Sequence, residues 1–593
     1  MTKRYRLGVG RRCAVLCLGV FCAGAALAQR GGGSDWKTAG FDAQRTSWKR
    51  TDRRLSLETI PSKFQFLWQF KVPNQARQLN SLTQPAMLDG LHSYTGMRTT
   101  LVVGASSGAA YSIDADLGRL EWKHSFAGPA TASAGSLACP GGVTSSFTRS
   151  VTLEAQTAQT QAGGRGGTRG RHAEGLVGAP DQGAPNLAAD GAAAGGRGGR
   201  GGGGGGRGAA AAFPVPPGEE GAEGGAPAGR GRGGRGGMNL GSTDAFYSVD
   251  GAGMVHLLNV MDGSDLVPPF AFLPANANVS GLILFDRVLY AATTNNCGGV
   301  ANGMWAINLA SPDKTVTSWK SDGGGSAGTL GPAVGTDGKI YLATADGEYS
   351  PTNYSDAVVA LEPKTLALKD YFTPGKVAFD SSPVVFPYSG KDWIVAAGKE
   401  GRLYLLDSAS LGGSDHHTPA DSTTPLTNST TDFSAGALAT WEGDDKTRWV
   451  LAPAGGALAS NASFPMTNGK VTNGAVVAFK VIAQNGKTTL QPAWVSRDMV
   501  APATPMIING VVFALGTGEY HTGDAKMTAA QRAQHSVPAI LYALDAATGK
   551  ELWNSGKTIT SFVHSGGLSS GNSQVYLSTW DSVLYAFGVP MER

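Results

Sequence analysis

Hydrophobic residues along this chain arrive in short bursts. "GKIYLATADGEY" (338–349), "DWIVAAGKEGRLYLLD" (392–407), "NGVVFALGTGEY" (509–520) and "SQVYLSTWDSVLYAFG" (573–588) set runs of Val, Ile, Leu and Tyr between Gly, Asp and Asn. Such runs are too short for helices, and turn residues recur at close spacing, which predicts strands joined by hairpins. No sustained 3.6-residue periodicity competes with them, so the expected class is all-β.

The bursts also repeat. "YSIDADLGRLEWKHSF" (111–126) and "YALDAATGKELWNSGK" (542–557) hold Tyr, Asp, Gly and Trp in one register, as Tyr111/Asp114/Gly118/Trp122 and Tyr542/Asp545/Gly549/Trp553. Weaker copies stand at "FYSVDGAG" (246–253), "MWAINLASPDKTVTSWK" (304–320), "VVALEPKTLALKDY" (358–371), "LYLLDSASLGG" (403–413) and "VVAFKVIAQNG" (476–486). The fuller unit opens with a proline ahead of a strand, at Pro85, Pro332, Pro383 and Pro505. Each copy reads as strand, turn and strand, with Gly supplying a positive φ cheaply and Asp suiting the turn. The outer Trp (Trp122, Trp319, Trp553) is large enough to cover the seam with a neighbouring copy.

A single four-stranded copy cannot bury both of its faces, so copies must stack. Counting gives roughly 82–127, 133–273, 278–322, 328–375, 380–418, 434–500, 501–560 and 564–588. The last copy lacks its final strand, while "KFQFLWQFKV" (63–72), with Trp68 at the matching place, precedes the first. Pairing the two leftovers removes the open seam. The expectation is an eight-bladed β-propeller closed by an N-terminal strand. At about 60 residues per blade, against roughly 40 to 50 in common propeller repeats, its loops must be long.

Two segments fall outside this pattern. Lys3, Arg4, Arg6, Arg11 and Arg12 precede an apolar run over residues 13–28 that ends in "ALAQ". A basic start, an apolar core and an Ala-x-Ala close are the marks of a secretory signal peptide cut after Ala28. About 16 apolar residues fall short of the roughly 20 that span a bilayer, and no later segment could cross one. Residues 151–238 turn to Gly, Ala, Pro and Arg, as in "GGRGGRGGGGGGRGAAAAFPVPPGEEGAEGG". With so few large apolar side chains, this stretch cannot offset its ordering entropy and is expected to be a disordered insertion in the second copy. Arg-Gly-Gly runs bind RNA inside cells, but the export signal and Glu219, Glu220 and Glu223 argue against that here.

Charge and cysteine usage narrow the chemistry. A net charge of +4 on 593 residues, much of it in the signal region, gives no case for nucleic-acid binding. Of five cysteines, three leave with the signal. The remaining pair, Cys139 and Cys297, is expected to be bonded in an exported protein, and would close a loop worth on the order of 5 kcal/mol in the chain-entropy model. No CxxCH occurs, so no haem is expected. Neither a Gly-x-Ser-x-Gly elbow nor HExxH is present. His416 and His417, with Asp415, form a metal candidate set against the simpler reading of solvated loop histidines.

The repeat resembles that of the pyrroloquinoline-quinone (PQQ) dehydrogenase type of eight-bladed propeller, whose docking motif Ala-x-Asp-x-x-x-Gly-Lys-x-x-Trp is matched best by "ALDAATGKELW" (543–553). "DWKTAGFDAQRTSW" (35–48) is similar to that family's first segment. The resemblance implies PQQ over the central channel, a calcium ion held by a Glu and an Asn, and a catalytic Asp. "YLATADGEY" (341–349) puts Asp346 at the metal-binding Asn. "LYAATTNNCGGVANG" (289–303) puts Asn296 or Cys297 at the metal-binding Glu. "YFTPGKVAFD" (371–380) has Gly375-Lys376 at the catalytic position, leaving Asp380 as the nearest carboxylate for the base. Cys139 stands alone where the family has adjacent cysteines. Arg77, Asn80, Asn296, Glu348, Glu519 and His564 are the candidate cofactor contacts, with Asp432 and Asp498 as substitute carboxylates. A metal polarises the quinone and a carboxylate takes the alcohol proton in such chemistry. Two functions follow from the resemblance: a periplasmic or secreted, monomeric oxidoreductase-like protein that oxidises an alcohol or sugar and passes electrons to a separate cytochrome, or a non-catalytic scaffold for protein partners, resembling the outer-membrane assembly propeller.

Overall fold

The computed structural model describes residues 35–93, 96–126, 136–151, 153, 245–345, 347–428, 434–521, 526–564 and 566–590. The expected signal segment, nearly all of the expected glycine-rich insertion, Asp346 and Asp432 lie outside the described residues. Strands with Val, Ile and Tyr at their centres pair into eight antiparallel blades, as the repeat predicts. Blade 1 runs from Ala86–Ser93 to Arg119–Ser125, and blade 3 from Asn278–Phe285 to Val316–Lys320. Blade 4 ends on Leu368–Phe372, blade 5 on Asp421–Ser422, blade 6 on Lys487–Val495 and blade 7 on Glu551–Asn554. Blade 8 takes three strands from residues 569–588 and its fourth, Gln65–Lys71, from the N-terminal side, antiparallel to Val583–Gly588. Leu55, Ile60, Phe64 and Val72 are buried in the same apolar cluster as blades 7, 8 and 1. No helix among the described residues is long and apolar enough to cross a membrane.

The Tyr–Asp–Gly–Trp register has a direct physical origin. Trp68, on the outer strand of blade 8, donates its indole N–H to Ala115 O at 2.8 Å, in the last turn of blade 1. Its ring lies flat on Gly118, where a Cβ would stand 2.6 Å from the indole, so only glycine fits. The same bond recurs from Trp122 to Val260 O at 2.9 Å and from Trp494 to Ala546 O at 3.0 Å, over Gly263 and Gly549. Trp553 instead meets Phe64 edge-on at 4.8 Å and Phe587 at 5.7 Å, and Trp319 meets Tyr354 at 6.0 Å.

One expectation is corrected here, and two residues of the expected insertion are found buried. "FYSVDGAG" is not the docking half of blade 2: Ala245–Val249 is its second strand, 250–253 the following turn, and the docking turn lies at 260–263 under Trp122. Val151 and Leu153, which composition assigns to the insertion, are 4% and 3% exposed, with Val151 N donating to Leu284 O at 3.0 Å. Val151 and Leu153 pack in one apolar cluster with Ile283, Phe285 and Val288 of blade 3, so described, buried residues reach into the stretch that composition assigns to the insertion.

The first segment, "DWKTAGFDAQRTSW", winds round the inside of the ring. Its carbonyls accept from one inner strand after another: Trp36 O from Met87 N, Lys37 O from Arg149 N, Ala43 O from Val334 N, Gln44 O from Val385 N, Thr46 O from Thr440 N and Ser47 O from Ile507 N, at 2.8–3.0 Å. Blade 3 is reached by Thr38 Oγ1, which donates to Leu282 O, and blade 8 by Asp52, which accepts from Ser573 Oγ. Met87, Val334, Val385 and Ile507 each sit two residues after a leading proline. Arg45, fully buried, donates to Pro332 O at 2.9 Å, Thr38 Oγ1 at 2.9 Å, Gly281 O at 3.2 Å and Ala39 O. Burial lowers its pKa to about 9, opposed by Asp42, so it remains a cation at neutral pH. A planar fork of donors suits this crowd of carbonyls at the centre of the ring.

Candidate functional site

In an antiparallel four-stranded blade, the link between the second and third strands shares an edge with the links between blades. The loops carrying the predicted site residues, at 295–302, 344–357 and 517–539 together with 72–85, 321–332, 373–383 and 555–568, therefore lie on one face.

On that face the structure gathers one ion cluster. Glu519, 4% exposed, follows the second strand of blade 7. His564 Nδ1, from the link into blade 8, lies 2.8 and 2.9 Å from its two oxygens. An ionised carboxylate can only accept, so Nδ1 carries the hydrogen. Arg532 Nη1 donates to Oε1 at 3.3 Å, and His521 Nε2 stands 3.7 Å from Oε2. Burial pushes the Glu519 carboxyl up, but His564, His521 and Arg532 together hold it down at about 2. The side chains of His564, His521 and Arg532 keep 34%, 28% and 18% of their surface, so the buried anion wears a solvent-facing rim of one guanidinium and two imidazoles.

Arg532 and His521 escape a search for site residues by motif. Arg532 rides the helix Ala529–His535, whose start is set by a reciprocal cap between Thr528 and Gln531. "TAAQ" (528–531) is a capping-box signal that would have found the helix. Beneath it, Leu79, Ala529 and Phe562 are buried together, Phe562 stacks on Trp580 at 5.2 Å, and Trp580 Nε1 donates to Gln78 O at 3.1 Å. The 77–80 turn of Arg77 and Asn80 thus shares an apolar floor with the helix that carries Arg532.

The other candidates are placed elsewhere. Asn80 Nδ2 donates to Gly141 O at 3.0 Å, holding the loop of Cys139. Cys139 and Cys297 form a disulfide with Cα atoms 5.6 Å apart, tying the blade 1–2 link to blade 3. Asn296 is exposed in the left-handed region, and its Oδ1 accepts from Asn302 N at 3.3 Å. Glu348 is exposed. Asp380 is half-buried and accepts from Ala435 N at 2.8 Å. Asp498 clamps 472–474 through Thr472 N, Asn473 N and Asn473 Nδ2 at 2.7–2.9 Å. Burial raises its pKa, yet these bonds hold it below the usual range. His416 Nδ1 lies 3.1 Å from Tyr371 O with its ring stacked on Tyr371, and His417 Nδ1 lies 2.8 Å from Thr373 O. Asp415 caps the His417 and Thr418 amides instead of joining them around an ion.

A calcium ion is a poor fit to the described residues. Its binding needs several converging oxygens, but among the described residues Asn296 and Asp380 each accept from a backbone amide and Glu348 is exposed. At Glu519 a cation would meet the guanidinium and two imidazoles.

No family model and no curated protein matches the sequence. Solved structures do match in fold. The chain is similar to quinohemoprotein alcohol dehydrogenase from Comamonas testosteroni, at 12% identity and TM-score 0.53, over 94% of this chain and 81% of that one. It is similar to quinohemoprotein alcohol dehydrogenase ADHIIG from Pseudomonas putida HK5, at 10% identity and TM-score 0.51, over 95% and 81%. A europium-containing methanol dehydrogenase matches at 9% identity and TM-score 0.51, over 94% and 98%. At these identities the likeness is one of fold: a quinoprotein-type propeller.

Proposed function

We propose that this chain is an exported, quinoprotein-like propeller that binds a small anionic ligand on its loop face, with PQQ as the candidate, and does not oxidise alcohols through calcium. The observation that carries this reading is the rim of Arg532, His521 and His564 around Glu519. Carboxylates of a ligand would meet Arg532, His521 and His564 above the Phe562–Trp580 floor. The Cys139–Cys297 disulfide supports an oxidising compartment, in keeping with the signal-like N-terminal segment. Asp380 accepts from the Ala435 amide through Oδ2, which supports a positioning role for that oxygen.

A second reading, a scaffold for a protein partner, draws on a different feature. Val500, Tyr520 and Val537 are 38%, 40% and 47% exposed, and backbone bonds to Gly518 bring Val500 and Val537 together beside the same cluster. Exposed apolar groups of this kind mark protein contacts when they are contiguous.

The test is a calcium-free titration of the mature chain with PQQ, followed by tryptophan fluorescence, alongside a dye-linked alcohol oxidation assay with and without calcium. Saturable binding that weakens about tenfold in Arg532→Ala, roughly the loss of one charge-assisted contact, is expected without turnover. Calcium-dependent turnover, or no saturable binding, overturns the proposal, the latter in favour of the scaffold.

A further inference from the structure

Far from the Glu519 cluster, the seam between blades 1 and 2 brings together two histidines and two carboxylates. His124 lies on the outer strand of blade 1, Arg119–Ser125. His256 lies on the blade 2 strand Met254–Asn259, and Asp265 bridges back to Leu258 of that strand. One ligand atom from each of His124, His256 and Asp265 falls within 4.8 Å of the others.

We infer that this seam is a binding site for a divalent transition metal, zinc above all. A tetrahedral site with nitrogen and oxygen ligands at about 2.0–2.2 Å has edges of roughly 3.3–3.6 Å. The His256 Nδ1–Asp265 Oδ1 and His124 Nε2–Asp265 Oδ2 separations, 3.0 and 3.8 Å, straddle that range. Two imidazoles with one carboxylate favour zinc over calcium or magnesium, which prefer all-oxygen shells.

The surroundings add an independent argument. On the far side of the His256 ring, Nε2 lies 3.4 Å from Asp250 Oδ2, a carboxylate with a side chain 3% exposed. A carboxylate behind a histidine keeps the hydrogen on the far nitrogen and leaves the near one free to ligate. Phe126 packs on His256 at 4.6 Å and on His124 at 5.0 Å, walling one side with an apolar ring. His124 and Asp265, 20% and 21% exposed, leave the other side open for a water as fourth ligand. With one ligand from blade 1 and two from blade 2, the metal would pin the seam on the outer side of the blades.

The experiment strips the tag-free mature chain with a chelator, then titrates it with zinc by calorimetry and with cobalt(II) by visible absorbance. One equivalent is expected, with the strong visible bands of four-coordinate cobalt and a higher Tm in zinc. His124→Asn and Asp265→Asn, at partly exposed positions, should each weaken this binding by about tenfold or more and remove the bands. Asp250→Asn leaves all three ligands in place and should weaken binding by about 10–100-fold. Circular dichroism checks its folding first, and the other two variants carry the test if it fails to fold. Absence of saturable binding by the folded wild type, or binding unchanged in His124→Asn and Asp265→Asn, would overturn the assignment.

Discussion

Two loops of this propeller spell the same tripeptide and treat it in opposite ways. Gly347-Glu348-Tyr349 in blade 4 leaves its glutamate exposed, and Tyr349 turns to bond Tyr371 through their hydroxyls at 2.8 Å. Gly518-Glu519-Tyr520 in blade 7 buries its glutamate under His564, His521 and Arg532, and leaves Tyr520 exposed. The backbone position within the blade is equivalent. What differs is the company: blade 7 inserts a capped helix into the loop and brings His564, from the link into blade 8, onto its glutamate. A carboxylate enters the interior where cations follow it, because an unpaired buried charge is too costly.

Substitutions at the two glutamates break the comparison most directly. Glu519→Ala removes the buried partner of Arg532, His521 and His564, and should cost about 4 kcal/mol in urea unfolding, near the value for breaking a buried pair. A loss below about 1 kcal/mol would mean that the cluster is solvated and the contrast with Glu348 is empty.

Acid sharpens the same point. The folded carboxyl is depressed from 4.5 to about 2, so its contribution is complete above the unfolded value and fades as pH falls from about 4.5 towards 2. That difference corresponds to about 3 kcal/mol. Thermal melts should show wild type losing stability over this window more steeply than Glu519→Gln, which cannot titrate there. Parallel pH profiles for the two proteins would contradict it.

The smallest effect is the control. Glu348→Gln should shift stability by no more than about 0.5 kcal/mol, as exposed substitutions do, and its acid profile should overlay that of wild type. A larger change would show that the two loops are more alike than their exposures indicate.

Much of the fold was legible because the forces that write it are local. Alternating bursts mark strands, and the Asp and Gly of 545–549 mark a turn. The recurring proline two residues before Met87, Val334, Val385 and Ile507 marks where each inner strand meets the first segment. The candidate site was legible only in part. Glu519 and His564 were both picked from sequence and do touch, whereas Asn80, Asn296 and Asp380, also picked from loops, each bond backbone groups in other parts of the same face. Trp494 and the docking turn at 260–263 were passed over, since neither carries the full Tyr–Asp–Gly–Trp register.

Strand, turn and blade number follow from residues a few positions apart, whose spacing is visible along the chain. The partners of Trp68, Arg45, Glu519 and His256 come in part from other blades or from the link into the next blade, beside nearer ones such as His521 and Arg532 for Glu519, Thr38 for Arg45 and Asp265 for His256. Which glycine receives an indole, which glutamate is buried and which histidine has a carboxylate behind it depend on how the blades close round their axis, and closure brings together side chains that no local pattern relates.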